Sequence, residues 1–166
     1  DDEKVNVYEH EIALIDSLQP NEVAVLLCHQ HHEIAPWGEL LSTRSQYLKA
    51  AGCLTDGSVR DVKRIRQMNF PVFAGNIGPL DSKHRGKLMW YDVPGKIHGV
   101  DVNSGDFIFG DVDGVVIVPR QITAEVVEKA LQKVREENQV RGMLENGVSL
   151  AKAFEEHGIC LLYTSP

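Results

Sequence analysis

Two short stretches hold the residues best suited to chemistry, Gly38-Glu39-Leu40-Leu41 and Arg60-Asp61. The first reads as the opening turn of a helix, where backbone N–H groups have no intrahelical acceptor and favour an anion. Gly38 lacks a side chain, so a ligand can come close to its backbone. Arg60 offers a planar fork of donors matched to a carboxylate, and Asp61 a hard oxygen ligand for Mg2+ or Mn2+. Magnesium takes one or two protein carboxylates and keeps several waters, so a single aspartate suffices. The spacing leaves a second reading open. Ser58-x-x-Asp61 also fits a capping box, in which Asp61 only satisfies the start of its own helix and Arg60 is a solvated charge.

The elements that must position these residues follow from hydrophobic pattern and turn chemistry. Residues 11–18 (EIALIDSL) have helical spacing, and Gln19-Pro20-Asn21 forms a turn. Residues 23–28 (VAVLLC) form a continuous apolar run, as expected of a strand buried on both faces. A histidine-rich loop leads to Pro36-Trp37-Gly38, and a helix is predicted over 39–51, ended by Gly52. A short strand over 53–55, a turn at Asp56-Gly57, a helix over 58–68 and a strand over 70–74 complete the pattern of parallel βαβ units. Short strands are expected around 88–93, 97–102 and 106–109, then a turn at 111–114 and a strand over 115–118. An amphipathic helix over 123–144, with Val127, Leu131 and Val134 on one face, and a last helix ending at Gly158 close an α/β domain spanning residues 1–160. Residues 161–166 (LLYTSP) continue no pattern and are set aside as a tail of the kind a cloning vector appends.

In such a parallel arrangement, ligands sit beyond the carboxyl ends of the strands, where the following helices begin. Both chemical stretches lie there. Other clusters are weaker candidates. Cys28, His29, His31, His32 and Glu33 could hold zinc, but successive residues leaving a strand point to opposite faces, which favours a solvated strand end. Asp111 and Asp113 fit turn chemistry better than a cation site. Asp81 and His84 sit in a loop that could border the pocket.

The net charge of -7, from 24 acidic and 17 basic residues, argues against a general nucleic-acid binder. No apolar run approaches the roughly 20 residues that span a bilayer. Cys28, Cys53 and Cys160 are odd in number and lack a CxxC spacing, as expected of reduced thiols in a cytoplasmic protein.

Four stretches in order, WGELLST (37–43), LTDGSVRDVKRI (54–65), FPVFA (70–74) and GDVDGVVIVP (110–119), resemble the family that joins the regulator of ribonuclease activity A to 4-hydroxy-4-methyl-2-oxoglutarate aldolase. The resemblance runs from about residue 9 to 158. It implies a swivelling β/β/α fold, a trimer or hexamer with pockets between subunits, and class II pyruvate aldolase chemistry that extends to oxaloacetate decarboxylation. By matching position it assigns a 2-oxo acid substrate to the amides of Gly38, Glu39, Leu40 and Leu41 and to Arg60. It assigns Mg2+ or Mn2+ to Asp61, with Glu39 reaching the metal through water. The aldolases more often have Asp where this chain has Glu39, and an acid where it has Arg64. They usually carry strands and a helix ahead of the stretch that begins here at Asp1. The ribonuclease-regulator branch typically lacks the acid after the arginine, so Asp61 favours the enzyme over a non-catalytic binding protein. An enzyme of the same fold acting on another oxo or sugar acid is a further possibility.

Overall fold

The computed structural model describes residues 6–157; the reading of Cys160, Gly158 and the tail falls outside them. The chain divides into two compact units, one ending at Pro119 and one starting at Arg120.

The first unit is built on a three-stranded parallel sheet. Helix α1 (Glu9–Ser17) precedes β1 (Val23–Leu26), and α2 (Glu39–Tyr47) leads into β2 (Gly52–Val59). Helix α3 (Val62–Met68) then connects to β3 (Val72–Ile77). The strand order is β1-β2-β3, so the expected βαβ units form and the domain is α/β. The central strand β2 is buried along its whole length. β1 alternates instead, with Ala24 and Leu26 buried and Val23 and Val25 half-buried, so its apolar run does not mark burial on both faces. Ile15, Leu18, Trp37, Val59, Ile65 and Phe70 pack with these strands into the core.

Several boundaries differ from the sequence reading: β3 starts and ends later than expected, and the strand expected over 97–102 is split into a hairpin. Asp56-Gly57 is no turn: β2 runs through it, and Ser58 and Val59 belong to the strand rather than to a helix. The partner offset on β3 changes between Thr55↔Ala74 and Ser58↔Asn76, which marks a bulge. The glycines there permit close approach. A Cβ on Gly57 would lie 2.5 Å from the Cys28 sulfur, and one on Gly75 would lie 2.5 Å from the Asp56 carbonyl oxygen. Helix α2 also ends earlier than expected. Lys49, with φ +63°, makes the left-handed exit, and Gly52 instead opens β2 tightly against Pro71.

Beyond β3, residues 88–93 form no strand; Asp92 adopts φ +58° and Trp90 is largely exposed. Two hairpins follow, β4 (Gly95–Ile97) with β5 (Val100–Val102), and β6 (Phe107–Asp111) with β7 (Gly114–Val118). The second is closed by Val112-Asp113, and the Asp113 N–H donates to the Asp111 carboxylate at 2.9 Å, so this acidic pair makes a turn as expected. The second unit holds a 3-10 turn (Arg120–Ile122), α4 (Thr123–Glu145) and α5 (Leu150–His157). Val140 and Ala153 are buried in it, whereas Leu131 and Val134 on the expected apolar face of α4 are about half exposed. Among the described residues no helix is long and apolar enough to cross a membrane.

The core reaches the start of α2 through one polar chain. The buried Trp37 indole stacks on Phe70 and donates its N–H to Ser42 Oγ at 2.8 Å, and that hydroxyl donates to the Gly38 carbonyl at 3.0 Å. Ser45, one turn on, is equally buried, but its hydroxyl has no partner among the described residues. Ser42→Ala should therefore lower unfolding free energy by about 1–3 kcal/mol by orphaning a buried N–H, while Ser45→Ala should be neutral or stabilising. Chemical denaturation of the two variants side by side checks the contrast.

Candidate active site

The loop from β1 to α2 does not wander over the surface after residue 33. It runs alongside the end of β2: the Ser58 N–H donates to the Ile34 carbonyl at 2.8 Å and the Arg60 N–H to the Trp37 carbonyl at 3.0 Å. Trp37 pairs with Val59 in a parallel bridge, and Ala35 pairs likewise with Asp81. This added pairing brings the start of α2 against the residues that leave β2.

Gly38 caps α2 in an extended conformation and is buried. A Cβ at this position would sit 2.9 Å from both Arg60 Nε and Asp61 Oδ2, so the arginine and aspartate occupy the space that any other residue would fill. Asp61 has φ +60° and makes no side-chain bond to its own helix. Its carboxylate turns instead to α2, where Oδ2 accepts the Glu39 N–H at 3.2 Å. The capping box is thereby excluded: Ser58 is in the strand, and Asp61 serves a neighbouring helix. About half of the Asp61 side chain is exposed. That suits a cation that brings its own waters.

Arg60 is three-quarters buried. Nη1 donates to the Ala35 carbonyl at 2.6 Å, Nη2 lies 3.7 Å from Asp81 Oδ2, and Nε lies 3.9 Å from Asp61 Oδ2. The Glu39 carboxylate accepts from Thr43 Oγ1 at 3.0 Å, along its own helix. Leu40 and Leu41 contribute first-turn N–H groups, while the Leu40 side chain is exposed and that of Leu41 packs against the core. Gly38, Glu39, Arg60 and Asp61 thus converge. Arg64 is exposed in the first turn of α3.

Sequence reasoning did not anticipate Tyr8 and Glu11. Tyr8 Oη donates to Asp81 Oδ1 at 3.0 Å. Glu11 is a buried carboxylate on α1, and burial pushes its pKa up to about 7 although the nearby Arg60 charge opposes the rise and Asp81 adds to it. Its signal was present: Glu11, Ile15 and Leu18 share one helical face, which places an acid on an apolar stripe. For Asp81, partial burial works to raise the pKa, but the Lys83 N–H, the Tyr8 hydroxyl and the Arg60 charge outweigh it and hold the carboxyl below its ordinary range.

Among the described residues no group of three or more His, Cys, Asp or Glu could hold a metal ion. His32 Nδ1 lies 2.9 Å from the Asp56 carbonyl oxygen, Asp56 Oδ1 accepts the Cys28 N–H at 2.6 Å, and His31 and Glu33 face solvent. Cys28 and Cys53 are free thiols.

A parallel α/β unit with an arginine–aspartate pair pressed against a glycine at a helix start defines the class of this site. The chain belongs to the RraA-like family, described as Aldolase/RraA, which matches residues 5–117. It is 30% identical over 156 residues to protein DlpA of Legionella pneumophila, covering 94% of this chain and 25% of that protein. It is 36% identical over 69 residues to a 4-hydroxy-4-methyl-2-oxoglutarate aldolase of Thermus thermophilus, covering 42% of each. The chain therefore spans less than half the length of these two relatives. The crystal structure of Streptomyces coelicolor RraAS2, described as an unusual member of the RNase ES inhibitor RraA protein family, superposes with a TM-score of 0.71 at 28% identity, covering 79% of this chain and 67% of that one.

Two outcomes follow. Gly38→Ala should displace both Arg60 and Asp61 and reduce any activity of the site by at least about tenfold, on the scale of a 1 Å misplacement; kinetics beside a melting curve separates this from unfolding. Glu11, with its raised pKa, contributes stability that is fully present below its unfolded value of 4.5 and is lost as the pH rises through about 7. Glu11→Gln should therefore melt above the wild type near about pH 8 and lose that advantage by about pH 5.

Proposed function

We propose that this chain carries a divalent-metal-dependent carbon–carbon lyase site that releases pyruvate from a 4-hydroxy-2-oxo acid by retro-aldol cleavage and also decarboxylates oxaloacetate. The observation that carries the reading is the orientation of Asp61: its carboxylate leaves its own helix, accepts the Glu39 N–H that opens α2, and lies 3.9 Å from Arg60 Nε. The family membership and the aldolase name of the Thermus relative support it.

Asp61 would hold Mg2+ or Mn2+, with Glu39 reaching it through water. When bound, the metal supplies a Lewis acid that polarises the 2-oxo group. Electrostatics favours a cation here, since Asp61, Asp81 and Glu11 surround the single Arg60 charge. The amides of Leu40 and Leu41 and the free donors of Arg60 receive the substrate carboxylate. As the C3–C4 bond breaks, its electron pair moves toward the C2 oxygen, and Arg60 stabilises the enolate charge that develops. A water held by Glu39 takes the C4 hydroxyl proton as the new carbonyl forms, and protonation at C3 gives pyruvate. Decarboxylation uses the same electron sink without the hydroxyl base. The resemblance implies a trimer or hexamer, and the exposed cross-strand pair Phe109 and Val116 supports association between copies; free Cys28 and Cys53 support a cytoplasmic setting.

The test is a panel of 4-hydroxy-2-oxo acids and oxaloacetate, assayed in EDTA and after adding Mg2+ or Mn2+, with pyruvate as the readout. Pyruvate release restored by metal is expected. Arg60→Ala should lose about 2–4 kcal/mol of transition-state stabilisation, and Asp61→Asn should remove the metal response while changing the melting temperature little. Absence of turnover across the panel in both metals would leave a non-catalytic binding protein instead.

A further inference from the structure

We propose that Asp81 is a positioning residue for Arg60, and that Tyr8 fixes Asp81, so that the N-terminal helical segment sets the aim of the substrate-binding guanidinium. The proposal rests on Arg60 as the carboxylate-binding group of the lyase site.

The Asp81 carboxylate divides its work between its two oxygens. Oδ1 accepts three donors, Tyr8 Oη at 3.0 Å, the Lys83 N–H at 3.0 Å and Ser82 Oγ at 3.2 Å. Those three bonds fix the plane of the carboxylate and leave Oδ2 turned toward Arg60 Nη2, 3.7 Å away. The backbone carrying Asp81 is itself pinned: Ala35 pairs with Asp81, and the Ala35 N–H donates to the Leu80 carbonyl at 2.7 Å. Ala35 in turn accepts from Arg60 Nη1 at 2.6 Å. Both terminal nitrogens of the guanidinium are therefore addressed from one bridged pair of residues, Ala35 and Asp81. A planar group held at both ends in this way cannot swing about its long side chain, and its Nε side stays against Gly38 and Asp61. At 3.7 Å the Asp81 contact is an ion pair rather than a short hydrogen bond, so it orients the fork without using up the donors a substrate needs.

Tyr8 is the only one of the three Oδ1 donors that comes from outside the Asp81 loop. It stands at the N-cap of α1, one turn from Glu11, whose carboxylate also feels the Arg60 charge. Residues far from the chemistry in sequence are thus tied to the angle at which the arginine meets its ligand.

The test uses the full chain with 15N label. The Arg60 Nε–Hε resonance, assigned by its loss in Arg60→Lys, is followed in Tyr8→Phe and Asp81→Asn, together with steady-state kinetics on the 2-oxo acid panel. Both variants should shift or broaden that resonance. Asp81→Asn should raise KM by about tenfold, the scale of one charge-assisted contact, and should cost almost nothing further in an Arg60→Ala background, because Asp81 acts through Arg60. An unchanged Nε signal in both variants, or an equal loss of kcat/KM with and without the Arg60 guanidinium, would overturn the proposal. If Asp81→Asn does not fold, Tyr8→Phe alone decides on the resonance. A shifted resonance in a protein that turns over no 2-oxo acid would uphold the positioning role and sink the lyase reading.

Discussion

The arrangement depends on a missing side chain. Position 38 has to be empty because the stem of Arg60 and the carboxylate of Asp61 lie where a β-carbon would go. This close approach puts a guanidinium, a carboxylate and the first amides of α2 within reach of one small ligand. Burial of Trp37 immediately before Gly38 makes the approach rigid, since its indole is stacked, hydrogen-bonded through Ser42 to the Gly38 carbonyl, and bridged to Val59. The site is thus anchored directly to the core instead of hanging on a mobile loop.

Charge around the arginine is arranged in layers. Asp61 faces outward with half its surface in solvent, Asp81 is partly covered and held ionised by its donors, and Glu11 is buried with a pKa near neutrality. A single guanidinium cannot neutralise three carboxylates. The surplus is relieved partly by protonation of Glu11 and, in the proposed reaction, by a divalent cation. Burial raises Glu11, whereas at Asp81 it is outweighed by the Lys83 and Tyr8 donors and the Arg60 charge, which hold that carboxyl down.

Much of this could be read from the residues. Alternating apolar runs and helical segments announce the parallel βαβ units, and Gly38, Glu39, Arg60 and Asp61 stand out by type. What could not be read was direction. The Asp56-Gly57 pair has the composition of a turn, yet neighbouring backbone packs so closely that the glycine serves a bulge inside a buried strand. The same error moved Ser58 into a helix and gave Asp61 a false capping partner. Tyr8 and Glu11 escaped notice, and Asp81 could be placed only beside the pocket, because the Tyr8–Asp81 bond beside Arg60 spans 73 residues of sequence. No local periodicity encodes a contact of that range. Residues 88–93 have strand-forming composition but find no partner strand.

The bulge in β2 has an implication for how such a chain tolerates change in length. Between Thr55 and Ser58 the pairing slips by one residue, and because side chains alternate across a sheet, that slip decides which face every later residue meets. Arg60 and Asp61 follow only a few positions downstream. The exposed 29–31 stretch of the loop after β1 can lengthen or shorten more readily than its ends, where Cys28 and His32 are bonded to Asp56 of β2, but a single insertion or deletion between the slip and Arg60 would invert the pair and aim it away from Gly38. Indel tolerance across this fold should therefore fall sharply within one short window while staying higher at the exposed 29–31 stretch before it.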